Sequence, residues 1–198
     1  ELRDSKRGGT VDFELIHLRG FGETTLRRGD ARYPVGQLTA DFETASMTLR
    51  GEDYWGFDGT AVLVENLEPF MQIEELAPAA DLAVYASGRL SKEVIRWLSS
   101  PAMDDASVIH AGDYDPVGLD DYLRVREAIG SRVSFLIPDD LDILFRRYGK
   151  DALLRSERAR RLLNKARRRA DDHVGQILKC IDRYGCGLEQ EGLLARNE

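Results

Sequence analysis

The sequence predicts an α/β fold with a mostly parallel sheet. Three observations carry this. Four short apolar runs between Thr60 and Pro138 read as strands. Segments with helical spacing alternate with them. Strands apolar throughout, rather than on alternate residues, mark a sheet covered on both faces.

Taken in order, "VDFELIHLRG" (11–20) alternates apolar and polar residues like a half-buried strand. "GQLTADFETASMTLRG" (36–51) reads as a short helix or an edge element. Glycines at 51, 56 and 59 then break the pattern. The regular part opens with "AVLVE" (61–65), a strand ending in an acid. "LAVYAS" (82–87) follows, then Gly88 and the helix "SKEVIRWLSS", with Ser91 as its cap and Leu90 packing on Ile95. "SVIHAG" (107–112) is the third strand. "PVGLDDYLRVREAIG" is a helix with Pro116 at its first position and Leu119, Tyr122, Leu123 and Ile129 on one face. "VSFLIP" (133–138) is the fourth strand, and helices follow, with Gly149 and Gly185 where C-terminal caps fall. The expected organisation is an N-terminal β-rich extension or remnant of a preceding domain over 1–58, then one α/β domain with a C-terminal helical part over 59–198. The opening "ELRDSKRGG" is charged and abrupt, as in a piece of a longer chain.

Composition narrows the function. No apolar run is long enough for a membrane span. Cys180 and Cys186 match no zinc spacing and form no disulfide framework, which points to reduced thiols in the cytoplasm. The net charge of −7 argues against nucleic acid, but it is uneven. Acids concentrate before Asp142, and "RRYGKDALLRSERARRLLNKARRR" (146–169) is a candidate basic docking face or a solvated helix face.

The chemistry-bearing residues sit at strand ends, where ligands bind in open parallel sheets. Glu65 ends one strand. Asp113 and Asp115 follow another, in "GDYDPVGL". Carboxylates converging there offer hard oxygens suited to Mg2+ or Mn2+, with phosphate as the companion ligand. Asp115 also falls at the N-cap of the next helix, a purely structural use. Ser87, Gly88, Arg89, Ser91 and Lys92 surround a strand-to-helix turn suited to phosphate. Glu189 and Glu191, in "LEQE", are read either as returning to the site or as an acidic helix start. A lone strand histidine such as His110 more often serves the core.

"LVENLEPF", "VYASGRLSKEVIRWL" and "IHAGDYDPVGL" together resemble the Toprim domain, the Rossmann-like metal-binding fold of topoisomerases and bacterial primases. Its signature is a glutamate after one strand and Asp-x-Asp after a later one. The "VEN", the "GxxS" helix start and the terminal "LEQE" are similar to the C-terminal domain of JetD, the nuclease subunit of Wadjet plasmid-defence systems. The resemblance covers about Thr60 to Leu194. It implies Mg2+- or Mn2+-dependent DNA cleavage with Glu65, Asp113 and Asp115 as catalytic and metal-binding residues and Glu189 and Glu191 as further ligands. It also implies a homodimer acting with condensin-like subunits. Arg89, Lys92, Arg160, Arg161, Arg167 and Arg168, with Arg158 and Arg169, are candidate DNA-backbone contacts. Tyr85, Tyr114 and Tyr122 lie inside the elements and read as packing residues rather than nucleophiles. Two alternatives stand beside this: a non-catalytic DNA-binding module, and a haloacid-dehalogenase-type phosphatase. The phosphatase fits "DYDPV" but has the wrong motif order and no role for Glu65.

Overall fold

In the computed structural model, residues 13–52 and 54–197 are described. The predicted strand at 11–20 therefore begins outside them, and is observed as β1 (Glu14–Gly20). A hairpin of β2 (Leu26–Arg28) and β3 (Ala31–Tyr33) follows, which the sequence reading did not foresee. The ambiguous 36–51 stretch resolves into both of its alternatives: helix α1 (Val35–Phe42) and edge strand β4 (Ala45–Leu49). The alternation in β4, with Ala45, Met47 and Leu49 buried and Ser46 and Thr48 exposed, is that of a strand with one face in the core.

The parallel core comes next: β5 (Thr60–Val64), β6 (Leu82–Tyr85), β7 (Ser107–Ala111) and β8 (Val133–Phe135). The six-stranded order is β4-β1-β6-β5-β7-β8. β5 pairs in parallel with β6 and β7, and β7 with β8, while β1 runs antiparallel between β4 and β6. The N-terminal strands thus complete the same sheet that carries the strand-end acids. β4, antiparallel to β1, points the same way as β5 to β8.

One face packs under α4 (Lys92–Leu98), α5 (Pro116–Ile129) and the C-terminal helices α6 (Leu141–Tyr148), α7 (Glu157–Arg169) and α8 (Asp172–Tyr184). Its core includes Ile16, Leu18, Leu63, Val84, Trp97, Tyr114, Tyr122 and Phe145. The other face carries a thinner layer. Short helices α2 (Leu67–Met71) and α3 (Ile73–Leu76) place Phe70 and Ile73 on Val62, Val64 and Ala83. The two-sided cover expected from the apolar strands is therefore lopsided. Arg19, buried on β1, anchors this layer through Glu74 and the Phe70 and Met71 carbonyls.

Local signals worked as their chemistry dictates. Ser91 Oγ accepts from Val94 N (3.2 Å), and the helix-facing residues of α5 are buried. Gly185 caps α8 in the left-handed region, where a side chain is disfavoured. Gly149 differs: its backbone is extended, and its missing side chain serves packing. A Cβ there would sit 2.2 Å from Cys186 Sγ. Among the described residues, no helix is long and apolar enough to cross a membrane.

Candidate functional site

β5 and β7 are neighbours, so the residues just past their ends share one rim. Glu65 follows β5, and its Oε2 accepts from Asp113 N at 3.4 Å. Asp113 Oδ1 accepts from Gln190 N (2.8 Å) and from Asn66 Nδ2 (3.2 Å). Asn66 Nδ2 also reaches Glu191 Oε2 at 3.3 Å. The "LEQE" segment therefore returns to the rim. An antiparallel bridge between Tyr114 and Leu188 fixes it, and a second bridge joins Lys150 to Gly187. Lys150 Nζ pairs with Glu189.

Asp115 is placed differently. Its Oδ1 accepts from Val117 N (2.7 Å) and Gly118 N (2.9 Å), the N-cap arrangement the sequence allowed. Pro116 at the first helical position leaves no amide unmatched. Gly118 is required by close approach, since a Cβ there would lie 2.0 Å from the Asp113 carbonyl oxygen. This contact locks the Asp113–Asp115 turn onto α5.

The electrostatics follow from gathering acids in a partly buried place. Burial, then the charge of Glu65, push the Asp113 carboxyl up to about 7, against the pull of the Gln190 amide. Burial raises Glu65 as well, opposed by the Asp113 amide and reinforced by the charges of Asp115, Asp121 and Glu191. Asp115 is raised by burial against the two amides that it caps, with Glu189 and Asp121 adding to the shift. All five predicted acids therefore fall in one electrostatic neighbourhood. Among the described residues, however, no three carboxylate, imidazole or thiolate groups stand close enough to hold a metal ion as they are placed. Asp115 is turned to its own helix, and Glu189 to Lys150.

The strand-end loop after β6 borders this rim. Gly88 N donates to the Glu65 carbonyl (3.3 Å). Ser87 (φ 53°) and Gly88 (φ 94°) both lie at positive φ, a cost for the serine that the surroundings must offset. Buried Asp121 provides the hold: its carboxylate accepts from Leu90 N, Arg89 Nε and Arg124 Nη1 at 2.8–3.0 Å. Arg89, read from sequence as a DNA contact, is engaged with Asp120 and Asp121. Lys92 is exposed in the first turn of α4. On α7, Arg160, Arg161, Arg167 and Arg168 are exposed, Arg167 pairing with Asp182 (2.5 Å) and Arg160 donating to the Arg155 carbonyl (3.1 Å).

His110 is buried against the core, packing edge-on against Phe135 (4.9 Å), with its Nε2 beside Gly112 and the Gly118 backbone in reach of the ring. Burial lowers its pKa to about 4, so the ring is neutral. Tyr114 and Tyr122 are fully buried. Asn66, Gln190, Lys150 and Asp121 are the site residues that sequence reading missed. Asn66 stood in the "VEN" run next to Glu65 and Gln190 inside "LEQE", but nothing local announces Lys150 or Asp121. The site is a rim rather than a cavity; a cleft of about 790 Å3 opens at the opposite sheet end, beside Phe21, Phe57 and Asp81.

Fold and site together define an open α/β domain with a carboxylate cluster at the ends of adjacent parallel strands. The chain belongs to the family described as Wadjet protein JetD, C-terminal, which it matches over residues 37–198. That match begins before the Thr60 at which the sequence resemblance becomes legible. No curated protein matches the chain.

Proposed function

We propose that the chain is the catalytic part of a Mg2+- or Mn2+-dependent DNA endonuclease of a Wadjet-type plasmid-defence complex in the cytoplasm. The observation that carries this reading is the meeting of Glu65 and Asp113, 48 residues apart, with Asn66 tying Asp113 to Glu191. The donor set is entirely oxygen, which fits a hard divalent cation. Glu65 and Asp113 would hold it, with Asp115, Glu189 and Glu191 as further ligands of a Toprim-like site. Such an ion, when bound, stabilises charge that develops on the scissile phosphate.

The chain's own groups do the rest. The Gln190 amide and Asn66 fix the Asp113 carboxylate. Glu65, raised by burial, is the group suited to take a proton from an attacking water. Lys150 lies within electrostatic reach of Asp113 and Glu191 and offers positive charge to a phosphate. The arginines of α7 position the duplex without reading its sequence. Two copies, each cutting one strand, and condensin-like subunits that deliver DNA complete the proposal.

The test is cleavage of supercoiled plasmid by the full complex with Mn2+. Wild type is expected to nick and linearise it. Glu65→Gln and Asp113→Asn are each expected to lose roughly a hundredfold or more. Undiminished cutting by both variants, or an inert wild type, removes the nuclease reading. A second reading, a DNA-binding module without catalysis, is favoured by one observation: Asp115 is committed to capping α5. Binding by an inert wild type that survives both substitutions would select it.

A further inference from the structure

Past the end of β7 the chain builds a small antiparallel extension beside the acid rim. Tyr114 and Leu188 exchange backbone bonds at 2.8 and 3.1 Å, and Lys150 and Gly187 do so at 2.7 and 3.1 Å. The strap at 187–191 is thus held between the Asp113–Asp115 turn and Lys150. It crosses Asp115 so closely that a Cβ at Gly187 would lie 3.0 Å from the Asp115 Cβ and 3.1 Å from that of Leu153. Lys150, fixed by its backbone, extends its ammonium to Glu189, and the charges of Glu191 and Asp113 act on it as well. Glu189 in turn acts on Asp115. Lys150 is therefore a cation of the chain's own, set among the carboxylates of the rim.

Two features make this arrangement exchangeable. The paired side chains are 56% and 36% exposed, so water weakens their attraction. Beside them the buried Gln190 side chain has no hydrogen-bond partner for either amide atom among the described residues. A buried amide without a partner is costly, so the strap gains if a small rotation past Leu188 supplies one. Turned to Lys150, Glu189 is withheld from the cluster, and among the described residues no three such groups stand close enough to hold an ion.

We propose that Lys150 is a positioning residue: it holds Glu189 off the rim until Glu189 exchanges the ammonium for a divalent cation, and the freed ammonium then faces a DNA phosphate. This rests on the reading of the rim as a metal-dependent nuclease site. A divalent ion offers the carboxylate twice the charge of an ammonium and direct coordination, which favours the swap. The backbone bridges at Gly187 and Leu188 confine the swap largely to the Glu189 side chain. The device links two events: the phosphate contact becomes available only at a loaded rim, so DNA is not drawn onto an unloaded one.

The experiment is calorimetric titration of the full chain with MnCl2 at pH 8, beside plasmid cleavage by the full complex. Lys150→Gln is expected to bind Mn2+ about threefold to fivefold more tightly than wild type, the reverse of what a merely structural role would give. It should nonetheless cut about tenfold more slowly at saturating Mn2+. Lys150→Met, which cannot pair either, should repeat both results. In a Glu189→Gln background the loss of Lys150 should change Mn2+ affinity by less than about twofold, because the exchanged carboxylate is gone. Lys150→Arg, which keeps the pair and the charge, should bind Mn2+ as wild type does and recover most of the cutting. Lys179→Gln removes an exposed cation from α8 and should leave Mn2+ affinity unchanged. The proposal is overturned, with the nuclease reading intact, if wild type binds Mn2+ and cuts while Lys150→Gln binds it equally or less tightly. It is equally overturned if the tightening is as large in the Glu189→Gln background, which would make Lys150 only a part of the general field. A wild type without saturable Mn2+ binding removes the metal reading itself, and this inference with it.

Discussion

Asp113→Asn is expected to stabilise the folded chain while it silences the site. The Asp113 carboxyl is raised from its ordinary 3.8 to about 7, chiefly by burial and then by Glu65. The folded protein therefore holds that proton more tightly than the unfolded chain does. Between about pH 4 and pH 7 unfolding releases a proton, and stability falls as pH rises; above pH 7 the full penalty is present. A shift of about three units corresponds to roughly 4 kcal/mol as an upper bound, and partial solvent access reduces it to about 2 to 3 kcal/mol. Asparagine retains the oxygen that accepts from Gln190 N and removes the charge. In a protein of this size the expected gain in Tm is about 4 to 10 °C at pH 8, vanishing near pH 4. The assay is thermal unfolding in EDTA at pH 4, 6 and 8, read by circular dichroism. Millimolar Mn2+ at pH 8 should raise the wild-type Tm and leave Asp113→Asn little changed. A variant that is less stable than wild type at pH 8, or whose gain does not depend on pH, would refute the claim that the acids are held together against their own repulsion.

Further outcomes can be measured alongside. Asp115→Ala should cost about 1 to 2 kcal/mol in denaturant unfolding as α5 loses its cap, whereas Asp115→Asn should cost a few tenths, so cleavage by the Asn variant isolates the carboxylate's chemical role. Gly118→Ala should be severe, by about 3 kcal/mol or more, because its Cβ meets the Asp113 carbonyl; a near-neutral result would mean the turn is not locked as described. His110, neutral and buried with its pKa lowered to about 4, favours stability above pH 6.5 that is lost as pH falls toward 4, by roughly 3 kcal/mol at most; His110→Leu should flatten that part of the pH–stability curve. Asp121→Asn should speed amide exchange in residues 87–90, the loop its carboxylate holds.

Much of this protein was written locally. Apolar runs fixed the parallel strands, Ser91 and Asp115 declared their caps through short-range N–H acceptance, and strand ends marked Glu65 and Asp113 as rim residues before any coordinates. Tertiary structure decided what depends on partners distant in the chain. Gln190 meets Asp113 across 77 residues and Arg89 meets Asp120 across 31, contacts with no local pattern because only packing brings them together. Those contacts drew Arg89 into ion pairs and brought "LEQE" back to the rim, while ladders with β6 and with each other set β1 and β4 into the sheet. Side-chain chemistry and period are properties of a segment, whereas which acid faces which amide follows from the closing of the whole sheet.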